Sequence, residues 1–193
     1  MAEPYQGPIR DERLAIELHN TRYARDGTGV DALDDPVQAR AWLAAVSRRG
    51  ALSELPAGAG PTPDALRGLR AAIRMLVAAT VAARPLDPAA VAAVNAACAA
   101  APGVPRLRLT DDGPAVRETT FGDATRAAVV LAVIAADAID LLAGPHRTKV
   151  RLCGAPGCVL AFVATHPRRT WCSDACGNRA RQARHARRVR GGG

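Results

Sequence analysis

Four of the five cysteines in this 193-residue chain fall within 24 residues: Cys153, Cys158, Cys172 and Cys176, spaced C-x4-C-x13-C-x3-C. Residues 1–10 lack the apolar stretch of a secretory signal, so disulfide pairing is not the expected use of these thiols. Two close pairs separated by about a dozen residues are the layout of a four-cysteine zinc site. Zinc takes four tetrahedral thiolates at about 2.3 Å. Each close pair supplies one edge of the tetrahedron, and the spacer returns the chain for the second. The competing reading is four unrelated thiols, one of them redox active.

The residues between the cysteines support the metal. Gly154, Pro156 and Gly157 favour a tight knuckle between Cys153 and Cys158. Val159–Val163 reads as a strand, His166-Pro167 as a turn and Arg169–Trp171 as the returning strand. Ser173 or Asp174 then caps a helix that runs to about Val189. Knuckle, hairpin and a helix whose first turn carries two ligands form a treble-clef-like finger, with Phe162 and Trp171 as its small core. So small a unit needs the metal to fold. His166 and His185 could stand in as ligands, but the four cysteines already fill the site. Cys98, alone in Ala96-Ala97-Cys98-Ala99-Ala100, reads as a small buried residue.

Charge singles out the same segment. Residues 1–146 hold 15 Arg against 17 Asp and Glu. Residues 147–193 hold ten Arg and Lys149 against Asp174 alone. The overall +8 is therefore a slightly acidic body joined to a tail near +10. Four thiolates and one Zn²⁺ bring the tail to about +8. A basic appendage on a near-neutral domain predicts a nucleic-acid partner; a merely solvated basic tail is the bland alternative.

The candidate contacts are Arg168, Arg169, Arg179, Arg181, Arg184, Arg187, Arg188 and Arg190. At about 100° per residue, those on the helix fill one broad arc. Ala175, Asn178, Gln182, His185, Ala186 and Val189 fill the other, which is expected to dock on the hairpin or the body. The arginines suit phosphates, and one or two could read guanine edges in a major groove. Asn178 could reach an adenine edge or serve the local structure.

The rest of the chain reads as helices. Hydrophobic residues are 49% of the sequence but aromatics only 3%, which favours packed helices over a β-sandwich. Helix one is expected over Asp11–Arg25, ended by Gly27-Thr28-Gly29. Helix two follows Asp35-Pro36 and carries Val37, Trp42, Leu43 and Val46, before a loop at Pro56–Pro61. Helix three spans about Asp64–Ala83, and helix four runs from Asp87-Pro88 to Pro102. Residues 106–110 and 115–119 form a β-hairpin around Asp111–Pro114. Helix five, from about Gly122-Asp123 to Ala143, is the most apolar and should be central. Gly144-Pro145 separates a helical domain, 1–145, from the finger, 146–193. The uncharged run Ala127–Ala136 is about half the ~20 residues of a membrane span, so the chain is expected to be soluble and cytoplasmic, with no membrane partner.

Sequence around the last cysteine pair, Trp171-Cys172-Ser173-Asp174-Ala175-Cys176-Gly177-Asn178-Arg179, resembles the CGNR zinc finger. Leu18–Arg22, Asp31-Ala32-Leu33, Trp42-Leu43, Leu66–Arg70, Val94-Asn95 and Ala138–Leu142 resemble the ABATE-type domain that precedes it. The likeness spans about residues 10–190 and implies a bacterial, stress-induced transcription regulator whose finger binds DNA. The run Ala164–Arg169 departs from the polar run that the family often carries there.

Together these readings predict a mainly α protein with a small β-hairpin and one structural zinc. Its predicted function is zinc-dependent DNA binding in transcription regulation. RNA binding by the same helix and a zinc-stapled protein-interaction module are the alternatives. No catalytic constellation appears, and four cysteine ligands leave zinc no open position for water, so an enzyme is the least supported reading. His19, Asn20 and Thr21 form a polar cluster, either hydrogen-bonded in the core or lining the pocket of a small-molecule effector. A homodimer would multiply the few base contacts of a single finger.

Overall fold

The computed structural model describes residues 3–47, 52, 58–110 and 113–191. Pro56, Ala57, Asp111 and Asp112, placed in loops above, lie outside these, as does the side chain of Arg190. The chain is mainly helical, with three small antiparallel strand pairs.

Helix α1 is Leu14–His19, much shorter than the helix expected over Asp11–Arg25. Asp11 sits at φ 54°, which no right-handed helix accommodates. The start is capped from a distance: Asp137 Oδ2 accepts the Ala15 N–H at 2.9 Å, while Oδ1 pairs with Arg13 at 2.8 Å. At the other end the Thr21 hydroxyl donates to the Leu18 carbonyl. The chain then turns into β1 (Arg22–Arg25) and β2 (Thr28–Asp31). Asp26 and Gly27, at φ 51° and 81°, make a two-residue turn with both positions left-handed, the geometry that Asp-Gly favours in hairpins.

The next helices follow their sequence signals. Helix α2 is Pro36–Ser47; Trp42 and Val46 are buried, whereas Val37 is exposed. Helix α3 (Pro63–Val81) is capped by Thr62, whose hydroxyl accepts the Ala65 N–H, and buries Leu66, Leu69, Ile73, Leu76 and Val77. Helix α4 (Pro88–Ala99) is capped in the same way by Asp87. Both have proline in the first turn, where its missing N–H costs nothing. Strands β3 (Val104–Thr110) and β4 (Gly113–Thr120) pair as expected and pack chiefly on each other, leaving Leu107 and Leu109 exposed. Helix α5 (Arg126–Ala143), capped by Thr125, is central: Val130, Ile134, Ala135, Ala138 and Leu141 are buried in the main core.

The last segment departs from the expected hairpin. Residues 169–171 form no strand. Instead β5 (Val150–Leu152), ahead of the first cysteine, pairs with β6 (Ala161–Val163), and the Cys153–Cys158 knuckle is the loop between them. The Cys153 N–H donates to the Leu160 carbonyl and extends the ladder. Helix α6 is Asp174–Gly191, begun by Ser173, whose hydroxyl accepts the Cys176 N–H.

Body and finger segment share their cores. Val150 and Ala161 belong to the main cluster around α1, α3 and α5. Tyr23 and Ala32 belong to the cluster formed by Phe162 and three of the cysteines.

Candidate metal centre and nucleic-acid interface

The knuckle presents Cys153 and Cys158, the loop after β6 presents Cys172, and the first turn of α6 presents Cys176. Their four sulfurs lie within 4.8 Å of one another. Cys158 to Cys172 is 3.8 Å and Cys172 to Cys176 is 3.4 Å. A tetrahedron with 2.3 Å bonds has edges of about 3.8 Å, so the spacing suits Zn²⁺. It is far too long for a disulfide bond of about 2.05 Å, and all five cysteines are free. Among the described residues these four form the only such group, and neither His166 nor His185 joins it.

The thiols share an electrostatic conflict. A hydrogen bond from Cys172 pulls Cys158 down to about 5, and the same bond, with burial, pushes Cys172 up. Burial also raises Cys153. Zinc, when bound, holds all four as thiolates. The donor set and geometry fit one structural zinc.

Surrounding groups fix the ligands. The Cys172 N–H donates to the Cys153 sulfur at 3.4 Å. Trp171 is wedged against the knuckle and α6: a Cβ added at Gly177 would stand 3.0 Å from its ring, so glycine permits this close approach. Phe162 is fully buried, as a core residue of the finger should be, whereas Trp171 is only half-buried.

The predicted polar cluster lies in the core, at the end of α1 and just beyond it. His19, Asn20 and Thr21 are all buried, and their bonds run within the protein. The Asn20 amide acts like a neighbouring strand: it accepts the Ala161 N–H at 2.8 Å and donates to the Ala161 carbonyl at 3.0 Å. Thr21 Oγ1 accepts from Arg70, which also forks onto Asp31 at 2.6 and 2.5 Å. Burial alone would raise Asp31; the Arg70 fork outweighs it and holds the carboxyl below its usual range. Burial, helped by Arg74, takes His19 down to about 3, so its ring is neutral. A cavity of about 690 Å³ lies elsewhere, between α4, β4 and α5; half-buried Cys98 and Phe121 and exposed Asp140 line it.

The arginines divide into two sets. Arg169 is built into the seam between body and finger. It lies 4.7 Å over the Phe162 ring, donates to the Val163, Trp171 and Cys172 carbonyls, and pairs with Glu12 at 3.2 Å. Glu12 also accepts the Val163 N–H; burial still pushes its carboxyl up against both partners. Arg179 bonds back to the knuckle and to Cys176. Arg168, Arg181, Arg184, Arg187 and Arg188 are exposed, with Arg181 donating to Asn178.

The packed face of α6 is not the expected one. Cys176, Gly177 and Ala180 are buried and Ala183 and Ala186 half-buried, while Gln182, His185 and Val189 are exposed. The small side chains, interleaved with the arginines, let α6 lie close to the finger. Beyond Ala183 the helix is mostly exposed on all sides.

Among the described residues no helix is long and apolar enough to cross a membrane. Residues 12–145 match the ABATE model, described as "Putative stress-induced transcription regulator", and residues 149–189 match the CGNR zinc finger. Neither is an enzyme family. No curated protein matches the chain. The four-sulfur cluster sits inside the matched finger, and the first match covers well over half of the sequence: the chain belongs to the ABATE family and carries a CGNR zinc finger.

Proposed function

We propose that this zinc-finger protein is a cytoplasmic transcription regulator that binds DNA through α6. The observation that carries this reading is the row of exposed guanidinium groups, Arg181, Arg184, Arg187 and Arg188, on a helix anchored by the metal site at one end. Arg168 lies on the same segment and adds a fifth. Such a helix has the width of a DNA major groove, and its side chains suit phosphates and guanine edges. Asn178 holds Arg181, a role in local structure. Arg169 drops out of the contact set because most of its donors are already taken, and Arg179, though exposed, spends two of its donors on the knuckle and Cys176. Duplex DNA is preferred over RNA because the family is described as transcription regulators. Two copies of the chain would double the contacts, and a dimer is the form proposed on DNA.

An effector site at His19, Asn20 and Thr21 has no room, since their side chains are buried and bonded. The cavity beside α5 has the volume for a small molecule, within the roughly 300–1,000 Å³ usual for ligand pockets.

The test is a mobility-shift assay on genomic fragments, with and without a zinc chelator and with RNA as competitor. DNA binding that needs zinc and resists RNA is expected. With about 4–6 phosphates neutralised, log K should fall against log salt with a slope of about −4 to −5. Replacing Arg184, Arg187 and Arg188 by Gln should flatten that slope by about 3. Binding unchanged by the triple substitution would refute the helix as the interface.

A further inference from the structure

A tetrathiolate zinc site carries a net charge of −2, and in this fold its sulfurs are mostly buried. Such a site is held by groups around the ligands that offset the charge and orient the sulfurs. One side chain does both here. Arg179 Nη2 donates to the Cys176 sulfur at 3.2 Å, and its Nε donates to the Pro156 carbonyl at 3.0 Å. Cys176 lies on α6, three residues before Arg179; Pro156 lies inside the knuckle between the first two cysteines. A single planar guanidinium therefore ties the last ligand to the loop that presents the first pair. Its charge stands directly on a ligand sulfur.

We propose that Arg179 is a positioning residue of the metal centre, which closes the knuckle onto α6 and stabilises the Cys176 thiolate. This proposal rests on the zinc assignment. It gives the motif Cys176-Gly177-Asn178-Arg179 a physical sense. Cys176 binds, Gly177 lets Trp171 approach, Asn178 holds Arg181 outside, and Arg179 reaches back to the knuckle. Lysine cannot replace it fully, because an ammonium keeps the charge but loses the two-pronged reach of the fork.

The experiment uses the full chain loaded with one zinc and a chromophoric chelator as competitor. Arg179→Gln should hold zinc about 10- to 100-fold more weakly than the parent, the usual effect of removing a second-layer partner. Arg179→Lys should fall between the two, and Arg184→Gln should match the parent. Cobalt-loaded Arg179→Gln should show a displaced sulfur-to-metal charge-transfer band, a signature that a general loss of stability would not produce. Parent-like zinc retention in Arg179→Gln would overturn the proposal, as would equal losses in the Gln and Lys variants with an undisplaced band. Failure of the parent chain itself to hold zinc would instead refute the metal assignment.

Discussion

Ribbons β5–β6 and β3–β4 are both two-stranded and antiparallel, yet their surroundings differ. The first has only three residues per strand but is packed on the body: Val150 is buried, β5 meets α3 and β6 meets α1, although Arg151 and Leu152 stay exposed. The Asn20 amide serves as a third strand for Ala161, and Glu12 takes the Val163 N–H. The second is more than twice as long, and Val104, Leu107 and Leu109 stand 54%, 77% and 79% exposed. An isolated pair of strands is marginal in water. The comparison teaches that here covering contacts, not ladder length, give a ribbon its stability. The strand pair of the finger accordingly shares residues with the body's core through Val150 and Ala161.

The strongest challenge to that contrast is removal of the metal. Zinc binding by small thiolate sites is worth on the order of 10 kcal/mol. Because Phe162 and Ala161 share clusters with body residues, Cys172→Ser or a chelator should destabilise α1 along with the finger. A fall in Tm of more than about 10 °C is expected by circular dichroism. A body that melts unchanged would break the comparison and restore two independent units.

Next in size is Asn20→Ala. It strands the buried N–H and carbonyl of Ala161, each worth about 1–3 kcal/mol. Urea unfolding of the zinc-loaded protein should report a loss of roughly 2–4 kcal/mol. A loss below about 0.5 kcal/mol would mean that β5 and the metal alone support β6.

Acid should weaken the same seam. His19 is lowered from 6.5 to about 3, chiefly by burial. Between those values the unfolded chain binds a proton that the folded chain refuses, so stability falls as pH falls, by at most about 1.4 kcal/mol per unit. At pH 5 the loss is about 2 kcal/mol. His19→Gln should show a shallower decline from pH 7 to 5 than the parent; parallel curves would place His19 in contact with solvent.

The smallest effect belongs to the exposed ribbon. Leu107→Ser and Leu109→Ser should each change stability by no more than about 0.5 kcal/mol. A larger loss would show that a partner covers these leucines in solution.

Much of the metal centre was legible because its ligands are close in sequence and thiolate chemistry needs few assumptions. Asp35-Pro36 and Asp87-Pro88 marked helix starts for an equally local reason. Asp26-Gly27 is a local signal for the β1–β2 hairpin, but the helical spacing of Leu14 and Leu18 extends the expected helix across it. Other features had no local signal. Asn20 meets Ala161 across 141 positions, and Glu12 meets Arg169 across 157. Counting charge treats all arginines alike, so Arg169 and Arg179 could not be separated from Arg184 or Arg187. The buried alanines of α6 were likewise invisible, because helical projection orders side chains around an axis but does not say which side meets the protein.

By itself the sequence determined the zinc chemistry, the helical class and the segment where positive charge collects. These follow from residue type and short-range spacing, which act before the chain is folded. Only the tertiary structure decided which polar groups are spent inside and which face outward. A hydrogen-bond donor is available to a partner only when nothing nearer has satisfied it, and nearness between distant residues comes into being with the fold.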